Sequence, residues 1–266
     1  MKFTIIVVSL NAGKELLNTI DSIMRQTYKN IEIIVKDGYS TDGSTELLPT
    51  DNRISLISKK DKSIYDAMNQ AIDYATGDFV LFMNCGDVFY DDGVLEACSK
   101  NILKCDAKKL TIFYGDCYTA NRNSFLRYPE FTDYVCFTKV LCHQATIYPL
   151  ELMKRRKYNL NYRMAADYEY YVNAYKQGAA LVHIPVVVVC YQGNGTSETK
   201  QNRCLALEER KSILKENYSA SDYRKIWMKT QLRGCGIKQV LVTQEWFYPC
   251  YKKIAEMYYK IKNLIR

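Results

Sequence analysis

The residues best placed to do chemistry close an apolar run: Phe79-Val-Leu-Phe-Met83 leads into Asn84-Cys85-Gly86-Asp87. Five consecutive apolar residues predict a strand buried on both faces, as in a parallel sheet. Gly86 lets the chain turn where that strand ends. Asp87 is then expected to stand exposed at the carboxyl end of a central strand, where open α/β sheets bind ligands. A carboxylate there suits a hard divalent cation bridging to phosphate oxygens. Two more acidic turns, Asp37-Gly38 and Asp61-Lys62-Ser63, follow apolar segments. A polar turn is the plain alternative for each. Asp42 reads as a turn or helix cap, whereas Asp37, at the strand end itself, reads as a ligand contact. Asp66 and Asn69 are three apart and share one face of a helix start, where an acid also suits the helix dipole. Asp167, in Ala165-Ala166-Asp167-Tyr168-Glu169, opens another helix. It is either a cap or a general base, which needs only hydrogen-bond reach to a substrate hydroxyl.

The elements that must position these residues alternate. Phe3–Leu10 predicts a strand, Lys14–Gln26 a helix from its apolar spacing, and Ile31–Val35 a strand. A short helix follows near Glu46, then a strand at Ile54–Ile57, a helix at Ile64–Tyr74 and the Phe79–Met83 strand. That order predicts a mostly parallel sheet with right-handed crossovers. Farther on, Asp91–Leu103 and Met164–Gln177 read as helices, and Leu110–Tyr114, Gln144–Tyr148 and Ala180–Tyr191 as strands. Residues 117–142 are aromatic and match no period. From Cys204 the composition is helical.

Composition narrows the function classes. The 266 residues suit one large domain, or one domain with an appendage. Lysine and arginine number 22 against 23 acids in residues 1–199, but 15 against 6 in residues 200–266. The boundary is therefore drawn there: one domain over 1–199 and a basic, mainly helical extension over 200–266. Confinement of the basic excess to the tail argues against a nucleic-acid groove. Ten cysteines and two histidines show neither Cys-x-x-Cys nor zinc spacing, and reduced thiols are expected. No apolar run reaches transmembrane length, and Met1–Asn11 lacks a small-residue cleavage site and reads as a strand. Neither Gly-x-Gly-x-x-Gly nor Gly-x-x-x-x-Gly-Lys-Ser/Thr is present, so a nucleotide would be held by side chains and a metal.

Taken together and in order, several segments resemble the family 2 glycosyltransferases of the GT-A fold, in the branch that builds bacterial capsule, O-antigen and exopolysaccharide. They are Thr4–Asn11, Lys36–Ser44, Asp61–Asn69, Gly77–Asp87, His143-Gln144 and Ala166–Glu169. The resemblance spans about residues 1–199. It implies an α/β GT-A fold, Rossmann-like, with a mixed but mostly parallel sheet flanked by helices and a helical C-terminal appendage. It further implies inverting transfer from a nucleotide sugar, UDP-linked by family analogy, to a hydroxyl of a saccharide or lipid-linked saccharide. Ser9, Asn11 and Asp37 would line the nucleoside pocket; Asp66 and Asn69 would lie near ribose and diphosphate, with Asn84 and Gly86 beside them. Asp87 would hold Mg²⁺ or Mn²⁺, Asp167 would be the base, and His143, Gln144 and Glu169 would lie near donor or acceptor. The family's usual Asp-x-Asp-Asp is here Asn84-Cys85-Gly86-Asp87, with one carboxylate, which weakens hold on a hard cation.

In the tail, Ile254, Met257, Tyr258, Ile261, Leu264 and Ile265 form one helical stripe among Lys252, Lys253, Lys260, Lys262 and Arg266. This suits an anionic membrane surface and a cytoplasmic enzyme peripheral at the inner face of the membrane. The alternative is packing on the catalytic domain or on the second subunit of a homodimer. Rival readings are a sugar-nucleotide nucleotidyltransferase, which Ser9–Gly13 matches poorly, and a non-catalytic basic membrane-binding protein.

Overall fold

The computed structural model describes residues 1–105, 110–193 and 199–232, with isolated positions 253 and 257. Its centre is strand β1 (Phe3–Ser9), flanked in parallel by β2 (Ile31–Asp37) and β4 (Phe79–Asn84), with β3 (Ile54–Ser58) beyond β2. Helix α1 (Lys14–Met24) links β1 to β2, and α2 (Ile64–Ile72) links β3 to β4. Between β2 and β3 a single 3-10 turn, Thr45–Leu47, replaces the expected short helix. These strands are apolar at nearly every position because both faces are covered. Phe3, Ile5 and Val7 pack with Leu16, Ile20 and Cys98 on one side, while Ile6 and Ile34 pack with Met68 and Ile72 on the other. Each fully buried aliphatic or aromatic side chain contributes roughly 1.5–3 kcal/mol of transfer free energy.

The second half adds β5 (Val88–Phe89), α3 (Val94–Lys104), β6 (Ile112–Thr119), β7 (Ser124–Leu126), α4 (Asp133–Thr138), β8 (Thr146–Pro149), α5 (Leu150–Arg155), α6 (Ala166–Lys176) and β9 (Leu181–Tyr191). The sheet order is β3-β2-β1-β4-β8-β6-β9-β5, with β7 beside β6. β8 runs antiparallel to both β4 and β6, and β9 runs parallel to β6. Two reversals restore the direction, so β1, β2, β4, β6 and β9 all end on one edge. The 117–142 stretch, which matched no period, holds the end of β6, a 3-10 turn at Ala120–Arg122, β7 and α4. Pieces this short are below the length at which periodicity can be read.

Helices α7 (Lys200–Asn217) and α8 (Ala220–Leu232) do not start a separate core at residue 200. Ile213, Leu214 and Tyr218 sit in the same buried cluster as Tyr168 and Tyr171 of α6, and the Arg210 guanidinium lies over the Tyr168 ring at 4.8 Å. The basic aromatic stripe over 244–266 lies outside the described residues, apart from positions 253 and 257. No helix among the described residues is long and apolar enough to cross a membrane. The described cysteines are free thiols.

Candidate functional site

Parallel registry brings the strand-end residues into a row. Ser9 lies opposite Asp37, and Val8 lies opposite Asn84. Asn11, with φ 50°, turns the chain out of β1. Its backbone N–H donates to Ser40 Oγ at 2.8 Å, and its Oδ1 accepts from Thr41 N–H at 2.8 Å. Asp42 ties the same loop to the start of α1, accepting from Gly13 N–H at 2.8 Å and from the Ser44 hydroxyl at 2.6 Å. The β2 loop is thereby pinned to the β1 loop.

Asp37 is engaged differently from the expected ligand contact. Its oxygens accept from Tyr39 N–H at 3.0 Å, Ser40 N–H at 3.1 Å and Ser40 Oγ at 2.5 Å. The carboxylate therefore organises its own loop as an Asx turn. Beneath it Lys36 is completely buried, its ammonium donating to Asp37 O, Lys59 O and Asp61 Oδ2. The Asp61 turn supplies the counter-charge that a buried lysine requires.

On α2, Ser63 caps the helix by accepting from Asp66 N–H at 3.2 Å, and Asp66 Oδ2 accepts from Lys62 N–H at 2.9 Å. The arrangement is a capping box whose return bond comes from Lys62, one residue before the N-cap Ser63. Asn69 is buried, and its amide forms a two-way clamp with the Tyr158 backbone, both bonds 2.9 Å. That clamp fixes the 158 segment against α2. Glu169, expected near the reacting groups, instead pairs with Arg156. Two residues from Asp167 is about 200° around a helix, so the two carboxylates diverge.

Asp87 is buried at 5 % exposure, which corrects the expectation of an exposed carboxylate. The late strands cover it: Gln144 Nε2 donates to Oδ2 at 2.5 Å, and Gln192 N–H, just beyond β9, donates to Oδ1 at 3.0 Å. Burial pushes its pKa up to about 6, with Glu15 on α1 adding a smaller like-charge contribution and the two hydrogen bonds opposing. Gly86 adopts φ 93°, and its N–H is bound by the Thr19 hydroxyl at 3.0 Å. Asn84 Oδ1 is buried with no hydrogen-bond partner. The Asp87 carboxylate and the orphaned Asn84 carbonyl oxygen are both hard oxygen donors, the kind of ligand that Mg²⁺ or Mn²⁺ takes. Among the described residues no group of three or more His, Cys, Asp or Glu side chains could hold a metal alone.

Asp167 opens α6. Its Oδ1 accepts from the Tyr65 phenol at 2.8 Å, and its Oδ2 lies 3.8 Å from His143 Nδ1. His143 stacks on Phe82, with centroids 5.2 Å apart and planes 22° apart. Burial pushes the imidazole pKa down, opposed by the Asp167 charge. The consecutive residues His143 and Gln144 thus face Asp167 and Asp87 respectively. Reading the sequence missed Tyr65, Glu15, Thr19 and the Gln192 backbone. Tyr65 was the one with a visible signal, a phenol directly before Asp66 at the opening of α2.

The sequence profile of glycosyl transferase family 2 matches residues 4–157. A PGL/p-HBAD biosynthesis glycosyltransferase of Mycobacterium bovis is 30 % identical over 200 residues, covering 73 % of this chain and 77 % of that one. Among solved structures, S. aureus TarS 1-349 in complex with UDP-GlcNAc superposes with a TM-score of 0.65 at 17 % identity, covering 85 % of this chain and 70 % of that one. The mannosyltransferase PcManGT of Pyrobaculum calidifontis, in complex with GDP-Man and Mn²⁺, gives 0.57 at 15 % identity, covering 99 % and 87 %. At such identities the structural likeness concerns the fold, which is the GT-A arrangement of a mostly parallel sheet between helices. With more than half of its length matched by the profile and its strand-end acids gathered on one edge of that sheet, the chain belongs to glycosyl transferase family 2 and is a glycosyltransferase.

Proposed function

We propose that this glycosyltransferase moves a sugar, with inversion, from a UDP-sugar to a hydroxyl of a saccharide or lipid-linked saccharide in surface-polysaccharide synthesis. The observation that carries the reading is the His143-Gln144 pair. One residue faces the Asp167 carboxylate at 3.8 Å and the next donates to Asp87 at 2.5 Å. Two acids facing one turn of chain support a reading in which one serves a donor diphosphate and the other an attacking hydroxyl. The UDP-GlcNAc and GDP-Man complexes of the two structural neighbours support a nucleotide-sugar donor.

In this reading the pinned loops behind Ser9, Asn11 and Asp37 form the nucleoside side of the crevice. Asp37 acts there by holding the Tyr39–Ser40 backbone, and Asp66 and Asn69 act by fixing α2 and the Tyr158 segment. Asp87 and Asn84 Oδ1 would hold Mg²⁺ or Mn²⁺; when bound, the cation supplies Lewis-acid stabilisation of charge on the diphosphate. Asp167 takes the acceptor's hydroxyl proton as that oxygen bonds to the anomeric carbon and the glycosyl–phosphate bond breaks toward the nucleotide. Burial of His143 keeps the neighbouring imidazole neutral, so it does not neutralise the base by a full ion pair. A lipid-linked acceptor would bring the enzyme to the inner face of the cytoplasmic membrane, with the basic tail as its contact.

The test is nucleotide release from UDP-glucose, UDP-galactose and UDP-GlcNAc, with UDP titration alongside. Asp167→Asn should bind UDP as the parent does but lose about 10²–10⁴-fold in turnover. Near-parental turnover would remove Asp167 from the role of base.

A further inference from the structure

Tyr65 and Asp167 are 102 residues apart in sequence and meet because α2 and the start of α6 pack on the same face of the sheet. The phenol is buried, and its ring lies 5.3 Å from that of Tyr158. Burial and the adjoining Asp167 charge push its pKa well above the ordinary phenol range, so it remains a donor wherever the enzyme works. The other carboxylate oxygen faces an imidazole that has no hydrogen-bond partner on either nitrogen. At 3.8 Å that pair falls outside hydrogen-bond distance. The remaining titratable neighbours are the buried phenols of Tyr148 on β8, Tyr158 after α5 and Tyr171 on α6. Two groups thus compete for one carboxylate, and the phenol holds it.

We propose that Tyr65 is the positioning residue for the base. Its phenol fixes Asp167 through Oδ1, holds the carboxylate off the His143 ring and leaves Oδ2 as the oxygen that receives the acceptor's proton. This rests on the reading of Asp167 as base. The acceptor O–H bond breaks with its proton passing to Oδ2, the oxygen's electron pair forms the new bond to the anomeric carbon, and the glycosyl–phosphate electrons leave with the nucleoside diphosphate. Were the phenol absent, rotation about the Cβ–Cγ bond would bring the carboxylate to the unpartnered imidazole. An ion pair would then consume the base.

Because the chain has only two histidines, this can be followed without knowing the substrate. Uniformly ¹⁵N-labelled full-length protein gives two imidazole spin systems, His143 and His183, distinguished by a His183→Asn variant. In Tyr65→Phe the proton affinity of His143 should rise at least tenfold as the freed carboxylate pairs with it. In the Tyr65→Phe/Asp167→Asn double variant the rise should vanish. His183, paired with Asp116 at 2.9 Å, serves as the internal control for folding, and Tyr65→Leu is the second variant should the first fail to fold. On whichever UDP-sugar the parent turns over, Tyr65→Phe should lower kcat about tenfold or more with the donor's KM unchanged. Unchanged His143 titration in the folded Tyr65 variants would overturn the proposal. Full turnover in Asp167→Asn would instead overturn the base reading while leaving the hydrogen-bond result intact, so the two failures are distinguishable.

Discussion

Asp87→Asn should stabilise the metal-free fold at the same time as it destroys cation-dependent nucleotide binding. In the folded protein Asp87 loses its proton at about pH 6, against 3.8 for the carboxyl's ordinary value, chiefly because it is buried. Below about pH 4 the carboxyl is protonated in both states and the charge costs nothing. As pH rises toward 6 the unfolded chain ionises first, so the folded state falls behind; above 6 the deficit is complete. A displacement of about two pH units corresponds to about 3 kcal/mol at pH 8, with about half of that already present at pH 5. The asparagine keeps the shape and can still accept from Gln192 N–H. Gln144 must turn its amide to present an oxygen to the new NH₂, a cost that does not vary with pH. The decisive quantity is therefore the change in the difference between parent and variant. Urea unfolding in EDTA at pH 5 and pH 8 should show the variant gaining about 1–2 kcal/mol on the parent between the two. Calorimetric titration of UDP, GDP, CDP and dTDP, with Mn²⁺ and with EDTA, should show one metal-dependent nucleotide whose binding the variant loses. A stability difference that is the same at both pH values would refute the argument that burial of Asp87 strains the site. Retained metal-dependent binding in the variant would refute its role as the cation's carboxylate.

Two further outcomes test the scaffold behind the site. Glu32 accepts from Lys2, Thr4 and Thr76 at the amino edge of the sheet, and these bonds outweigh burial to bring its pKa down to about 2. Its contribution is present above its ordinary value of 4.5 and is lost as pH falls toward 2, so Glu32→Gln should cost stability at pH 7 and the gap should shrink by about half at pH 3, read by thermal unfolding at both. Asn69→Ala removes both bonds of the Tyr158 clamp and leaves a buried N–H and C=O unpaired, which should cost about 2–4 kcal/mol in urea unfolding; a loss under 1 kcal/mol would mean that the 158 segment is held by packing alone.

Much of this protein was legible along the chain because its first half is built from local signals. The apolar runs at Phe3–Ser9, Ile31–Asp37 and Phe79–Asn84 are strands because both their faces are covered. Parallel pairing then requires Ser9, Asp37 and Asn84 to share an edge. The parallel sheet and the shared edge of these strand-end residues follow from that order. What those acids do was not legible, because it depends on partners far away in sequence. Asp37 and Asp66 are the local exceptions, accepting from the Ser40 and Lys62 amides three and four residues away. Asn69 is spoken for by Tyr158, 89 residues on. Asp87 looked exposed because nothing near it in sequence covers it; Gln144 and Gln192, 57 and 105 residues away, do so only after β8 and β9 join the sheet. Local patterning determines where the chain is extended and where it turns. Burial, and with it the protonation and orientation of a carboxylate, is a property of whatever packs against it, and only the assembled sheet decides that.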